Sequence, residues 1–218
     1  VPFAVESSLS GVMKTLGKEN ELWYSREFTV PSSWKGKNIL LHFGAFDLQA
    51  DVWVNGVKMG QHRGGYTPFS FDITPVLAKG KNQITVKVWD PSDEGYQPRG
   101  KQVKHPDGIW YTPVSGIWQT VWLEPVNPVH ITRLSIEPDV DNSCFKLQVN
   151  ATGDSEATAD IRLSDPDGNT VASLQGVATG TPCTLPVNAP ELWSPERPYL
   201  YDLSLIHISE PTRQEAIS

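Results

Sequence analysis

The stretch Phe46-Asp47-Leu48-Gln49-Ala50-Asp51-Val52-Trp53-Val54-Asn55-Gly56 decides the fold class. Phe46, Leu48, Ala50, Val52 and Val54 alternate with Asp47, Gln49, Asp51 and Trp53. Successive side chains of a strand point to opposite faces, so this period of two predicts a half-buried antiparallel strand. The run ends on Asn55-Gly56, a pair that tolerates positive φ and is the strongest short hairpin signal. Val57 begins the return.

The same period extends outward. Tyr24, Phe28 and Val30 share one face of a run that ends at Pro31, and Ile39, Leu41 and Phe43 form the next. Tyr66 to Phe71 reads as extended, Asp72-Ile73-Thr74 as the cap of a short helical turn, and Ile84, Val86 and Val88 as a further strand. Ile117 to Leu123 is apolar on both faces and is predicted to be buried on both, with Trp118 and Trp122 in the core. Glu124-Pro125-Val126-Asn127-Pro128 then reads as a linker. Beyond it lie runs at Ile131–Glu137, 145–149, 159–163, Val171–Leu174 and Cys183–Val187, with a hairpin turn at Asp165-Pro166-Asp167-Gly168-Asn169. Almost no stretch has a helical period. The expectation is an all-β chain: a jelly-roll β-sandwich of the galactose-binding type over 1–126, then an immunoglobulin-like β-sandwich over 127–203.

Between two of these strands lies Asp90 to Trp118, DPSDEGYQPRGKQVKHPDGIWYTPVSGIW. Its four prolines exclude one long helix or a central strand. Loops of this length inside a compact domain are usually functional. This one mixes Tyr96, Trp110 and Tyr111 with Asp90, Asp93, Arg99, Lys101, Lys104, His105 and Asp107. Flat rings suit the apolar C–H face of a pyranose, and planar polar groups suit its rim of hydroxyls. The competing reading is a long loop whose aromatics merely pack over a sheet. Asp90 and Asp93, beside Pro91 and Ser92, read as turn residues.

The chain has 218 residues, 39% of them hydrophobic, with eight Trp and a net charge of −7. That is enough apolar material for one or two cores. The acidic balance, with a pI of about 5.2, disfavours nucleic acid. No apolar run is long enough for a membrane-spanning helix. Two cysteines, Cys144 and Cys183, could form one bridge or stay two isolated thiols, and their spacing fits no zinc motif. No cofactor is expected in this chain.

Several segments together resemble glycoside hydrolase family 2, which includes β-galactosidases, β-glucuronidases and β-mannosidases. VPFAVESSLSG at residues 1–11 is similar to the entry of that family's sugar-binding domain. Phe28-Thr29-Val30-Pro31 and VWVNGVKMGQHRGGYTPFSFDIT resemble its central strands, and ITVKVWDPSD and SGIWQTVWLEPV its closing ones. Glu191-Leu192-Trp193-Ser194-Pro195 and Pro198-Tyr199-Leu200-Tyr201-Asp202-Leu203 resemble the end of its immunoglobulin-like domain, with Trp193 read as core.

The resemblance implies a catalytic (β/α)₈ barrel after these two domains, carrying two glutamates as acid/base and nucleophile. Neither the barrel nor the pair has a counterpart here. The natural start is expected to precede Val1, and the tail 204–218, with LSLIHISEPTR over Leu203 to Arg213, looks like a translated sequencing adapter rather than native sequence. In the family, the loop before the SGIW-like motif reaches into the barrel pocket, and an acid five positions before the residue matching Ser115 contacts sugar. This chain has Trp110 there, which points to a stacking platform, with Asp107 as the nearest acid. Arg99, Asn20 and His62 complete the candidate substrate-binding residues, each weighed against a structural role: Arg99 as a tie within the loop, Asn20 through an alignment that needs a gap, His62 as a hydrogen-bonded loop residue. The expected partners are a β-glycoside, the missing barrel and further copies in a homo-oligomer. The alternatives are a self-standing carbohydrate-binding module and a scaffold domain without catalysis.

Overall fold

The computed structural model describes residues 3–153 and 157–209, with side chains to Leu205. Two compact units meet at Val126/Asn127.

The first unit holds β1 (Leu22–Thr29), β2 (Asn38–Phe43), β3 (Phe46–Asp47), β4 (Gln49–Val54), β5 (Val57–Arg63), β6 (Phe69–Asp72), β7 (Lys81–Trp89), β8 (Gly116–Ile117) and β9 (Val121–Val126). One sheet runs β1-β7-β4-β5, a second β6-β2-β9, and β3 pairs with β8. The strands of this unit pair antiparallel. The core forms where the alternating faces meet: Ala50, Val52, Val54, Val86 and Val88 from one sheet, Ile39, Leu41 and Phe43 from the other, with Phe46 and Ile117 from the short pair. Each such side chain removed from water contributes roughly 1.5–3 kcal/mol. Phe69 stacks on Phe43 at 4.8 Å and meets Phe46 edge-on at 4.7 Å. This is the jelly-roll sandwich expected.

The β4–β5 hairpin turns at Asn55 (φ 50°) and Gly56 (φ 79°), the two positive angles of a type I′ turn. The Asn55 side chain locks it, donating to Val76 O at 2.8 Å and accepting from Gln83 N at 2.9 Å. Asp72 Oδ1 accepts from Thr74 N at 2.9 Å and opens the 3-10 turn Thr74–Val76, the short cap anticipated.

Four local expectations need correction. The stretch 46–54 is two strands, not one, broken at Leu48. Its polar phase is not solvated, because Asp47 and Asp51 are both buried. Lys58 at 2.6 Å and Lys87 at 3.4 Å bind Asp51 and, against the upward pull of burial, hold its carboxyl below the usual range. The run from Ile117 to Leu123 is likewise two strands separated by Trp118–Thr120. Trp118 and Trp122 are 37% and 43% exposed, so neither is core. Alternation explains Trp122, since its neighbours Val121 and Leu123 face inward.

The second unit holds β10 (Ile131–Asp139), β11 (Cys144–Ala151), β12 (Thr158–Ser164), β13 (Thr170–Ala178), β14 (Pro182–Pro186) and β15 (Asp202–Ser209). Sheets β10-β11-β14 and β13-β12-β15 enclose Leu147, Val149, Ala159, Ile161, Leu163, Leu185 and Val187. Asp165 organises the β12–β13 turn, its Oδ1 accepting from Asp167 N and Asn169 N. Backbone pairing of β15 with β12 runs from Asp202 to Ser209, beyond the Leu203 boundary read from the sequence; residues 210–218 of the tail lie outside the described residues. Trp193 is exposed, not core. Both cysteines are free thiols. In the β11–β14 register Cys183 lies opposite Leu147, three residues along from Cys144, or roughly 10 Å of strand, too far for a bridge.

Candidate functional site

The long loop is ordered by its own bonds, with Asp93 near their centre. Arg99 Nη1 donates to the Asp93 carbonyl, and Lys104 N donates to Asp93 Oδ2 at 3.1 Å. Lys104 Nζ pairs with Glu94, which also holds Lys18 Nζ at 3.0 Å. Gln102 and Tyr111 form an isolated parallel bridge, flanked by Val103 N→Tyr111 O at 3.0 Å and Tyr111 N→Lys101 O at 2.8 Å. These ties bring the loop's second half back on its first. Its tip is the turn Asp107–Trp110, where Trp110 N donates to Asp107 O at 3.2 Å. Trp110 is 42% exposed at the tip, and Tyr111, also exposed, has the Lys101 ammonium over its ring at 5.9 Å.

At the start of the loop Asp47, which alternation had assigned to solvent, lies buried with Asp90 and near the half-buried Glu6. Leu48 N donates to Trp89 O at 3.2 Å, which sets Asp47 beside Asp90. Asp47 is 6% exposed, and its Oδ1 has no described hydrogen-bond partner. Burial, then the neighbouring Asp90, push its carboxyl up to about 7. Burial also raises Asp90, against a short bond from Ser92 N to its Oδ1 at 2.6 Å. Glu6 is raised by burial too, although Ser115 N donates to its Oε2 at 3.2 Å. Ser115 Oγ is fully buried beside Glu6 and Asp90 without an aligned hydrogen bond. Tyr66 senses both aspartates, and burial with their charge raises its hydroxyl.

Of the residues expected at a sugar site, Asp107 and Trp110 share the loop-tip turn. Arg99 is engaged with the Asp93 carbonyl. Asn20 closes a tight turn, its Oδ1 accepting from Gly17 N at 3.0 Å. His62 stacks on Phe69 at 4.2 Å with Nε2 3.2 Å from Thr67 Oγ1, and burial lowers its pKa. Asp47, Glu6 and Tyr66 were not anticipated. Their only sequence signal was a pair of aspartates on a strand next to a loop long enough to cover them. Among the described residues no cluster of His, Cys, Asp and Glu suits a metal ion.

Comparison with known proteins gives this arrangement a family. Residues 12–126 match the sugar binding domain of glycosyl hydrolases family 2, and residues 129–214 match a second domain described as glycosyl hydrolases family 2. A β-galactosidase of Thermoanaerobacter pseudethanolicus is 30% identical over 86% of this chain, which covers 26% of that protein. A β-glucuronidase of Paenibacillus borealis is 29% identical over 93% of this chain, covering 36% of that protein. A solved Ruminococcus gnavus β-glucuronidase, in complex with a C6-substituted uronic isofagomine, superposes with a TM-score of 0.72 at 26% identity, over 97% of this chain and 37% of that one. The chain therefore spans about a quarter to a third of the length of these relatives. With both its units matched in order, the chain belongs to glycosyl hydrolases family 2 and carries that family's sugar binding domain.

Proposed function

We propose that this chain is the non-catalytic, sugar-facing part of a β-glycosidase that cleaves β-glycosidic bonds when its catalytic barrel is present. The observation that carries this reading is the tied loop, whose own hydrogen bonds hold the Trp110 ring half exposed at its tip. Trp110 stacks on the sugar, and Asp107 lies beside it to accept from a hydroxyl. Arg99 acts through the loop, keeping the tip in place, while Asn20 and His62 shape neighbouring turns. The first unit completes the pocket and supports assembly into a homo-oligomer. Leu192, Trp193 and Leu200, exposed on the second unit, supply an apolar surface for docking within the larger protein.

Two measurements test this. The purified chain is expected to release no nitrophenol from nitrophenyl β-galactoside or β-glucuronide, because this reading puts the cleaving pair of carboxylates on the catalytic barrel; turnover by the chain alone sinks the reading. In the full-length enzyme Trp110→Ala is expected to lower kcat/KM about tenfold or more, the worth of one aromatic platform, with an unchanged Tm. A lower Tm with intact kcat/KM would make Trp110 a packing residue.

A further inference from the structure

A glycine directly follows an Asn or Asp at Asn55-Gly56, Asp107-Gly108 and Asp167-Gly168. Such a pair can cyclise on its own backbone. The glycine nitrogen attacks the side-chain carbonyl carbon, and a residue without a Cβ leaves that approach unhindered. In a folded chain the rate depends on where the two reacting atoms are held. The fold treats the three pairs differently.

At Asn55 the side-chain amide is held by three bonds. Its Nδ2 donates to Val76 O at 2.8 Å and to Asn82 Oδ1 at 2.7 Å, and its Oδ1 accepts from Gln83 N at 2.9 Å. Cyclisation there must break them. The other two pairs are a controlled comparison, because both read Pro-Asp-Gly and both are exposed. At Asp167 the nitrogen is committed elsewhere, since Gly168 N donates to Asp165 O at 3.0 Å and closes the β12–β13 turn. At Asp107 the nitrogen is turned on the carboxyl itself. Gly108 N lies 2.8 Å from Asp107 Oδ1. Among the described residues the Asp107 carboxyl has no other hydrogen bond or ion pair to hold it back. The Cβ side of Gly108 is open space, so water reaches the segment.

We propose that Asp107-Gly108, at the tip of the long loop, is a site of spontaneous isoaspartate formation, and that the change releases the turn carrying Trp110. The chemistry balances within the chain and water. Gly108 N forms a bond to Cγ of the neutral Asp107 carboxylic acid. The Gly108 N–H proton and the carboxyl O–H group leave together as water, and a five-membered succinimide remains. Water then opens the ring. Opening at Cγ restores Asp107, and opening at the main-chain carbonyl routes the backbone through Cγ as isoaspartate. Mass is unchanged, and nothing is oxidised or reduced. The main chain gains one carbon between Asp107 Cα and Gly108 N. Trp110 N donates to Asp107 O at 3.2 Å across this segment, and the longer backbone no longer closes that turn. The modification is a property of the loop and does not depend on whether the loop meets sugar.

The test ages the 218-residue chain in mildly acidic buffer at body temperature, once folded and once in guanidinium chloride. Isoaspartate is counted peptide by peptide with an isoaspartyl methyltransferase and mass spectrometry. The denatured chain sets the intrinsic ratio of Asp107 to Asp167, two sites with the same tripeptide. Folding is expected to raise that ratio about tenfold or more, a small share of what held proximity can give. A ratio that does not rise on folding overturns the proposal. So does isoaspartate that accumulates faster at Asn55 than at Asp107 in the folded chain. Hydrogen exchange reads the second half. The Trp110 amide is expected to exchange faster in the isoaspartyl fraction than in fresh protein, and equal exchange shows that the turn survives and overturns that half. Asp107→Glu, whose longer side chain cannot close the five-membered ring, is expected to keep its Trp110 exchange rate on ageing; the same acceleration in Asp107→Glu assigns the loosening to another event and overturns it too.

Discussion

Replacing Asp47 by Asn is expected to raise the melting temperature of the first unit at pH 8 and to leave it nearly unchanged at pH 4. The folded carboxyl sits at about 7, well above the usual unfolded value near 4. The folded state therefore binds the extra proton, so stability is greatest below the unfolded value and falls as pH rises towards 7. Above 7 the loss is complete. A gap of about three pH units is worth of the order of 4 kcal/mol, which in a unit of this size corresponds to roughly 15 °C. The amide keeps the shape of the carboxyl and removes its charge, so the variant is expected to lack most of this slope. Calorimetric melts between pH 4 and 9 read it directly. A variant whose Tm falls with pH as steeply as the wild type would mean that Asp47 is not the titrating group. Asp90 and Glu6 are raised in the same direction, so the residual slope is expected to point the same way.

Gly116→Ala is expected to destabilise the first unit by about 3–5 kcal/mol. Gly116 opens β8 at φ 89°, a region where a Cβ costs about 1–3 kcal/mol. The added methyl would also collide with the Tyr24 hydroxyl and sit 2.9 Å from Leu22 Cδ1, and such overpacking costs about 1–3 kcal/mol more. Neither neighbour can yield freely. Leu22 and Tyr24 pack on the core, and Tyr24 Oη accepts from Ile117 N at 3.4 Å. Urea denaturation is the check, with the midpoint dropping and the slope unchanged. Tyr24→Phe in the same background is expected to recover only the hydroxyl collision, because the backbone strain remains. A midpoint within error of the wild type would show that β8 yields.

The contrast between what the chain revealed and what it hid follows the range of the interactions. Asn55-Gly56 and Asp165–Asn169 act within a few residues, and both turns form where local chemistry put them. The alternating apolar sets of β2, β4 and β7 were legible because one face of each strand is buried by a whole opposing sheet. Asp47 was not legible. Its burial comes from the loop and from β8, more than sixty residues away, and a period of two cannot tell water from a covering loop. Trp118, Trp122 and Trp193 failed for the opposite reason: large apolar rings were read as core by type, whereas the strand phase of Trp122 turns it outward. At the site, motif position pointed to Trp110 and Asp107 as candidates, and the fold adds that they share one turn, while the burial of Asp47 and Asp90 needed the fold to be seen.

The two thiols have a practical use. The chain's two cysteines, Cys144 and Cys183, both belong to the second unit, and the first unit has none. Cys183 is half-buried, and burial raises its thiol above the usual range, so at this position the folded protein reacts more slowly with a thiol reagent than the opened one, and labelling is read at Cys183 alone. Pulse alkylation followed by mass spectrometry then counts how often the second sandwich opens, blind to events in the first. Applied to Gly116→Ala in mild urea, the same pulse reads the cooperativity between the two sandwiches. Unchanged labelling means that the immunoglobulin-like unit survives the melting of its neighbour, and accelerated labelling means that the two share one transition.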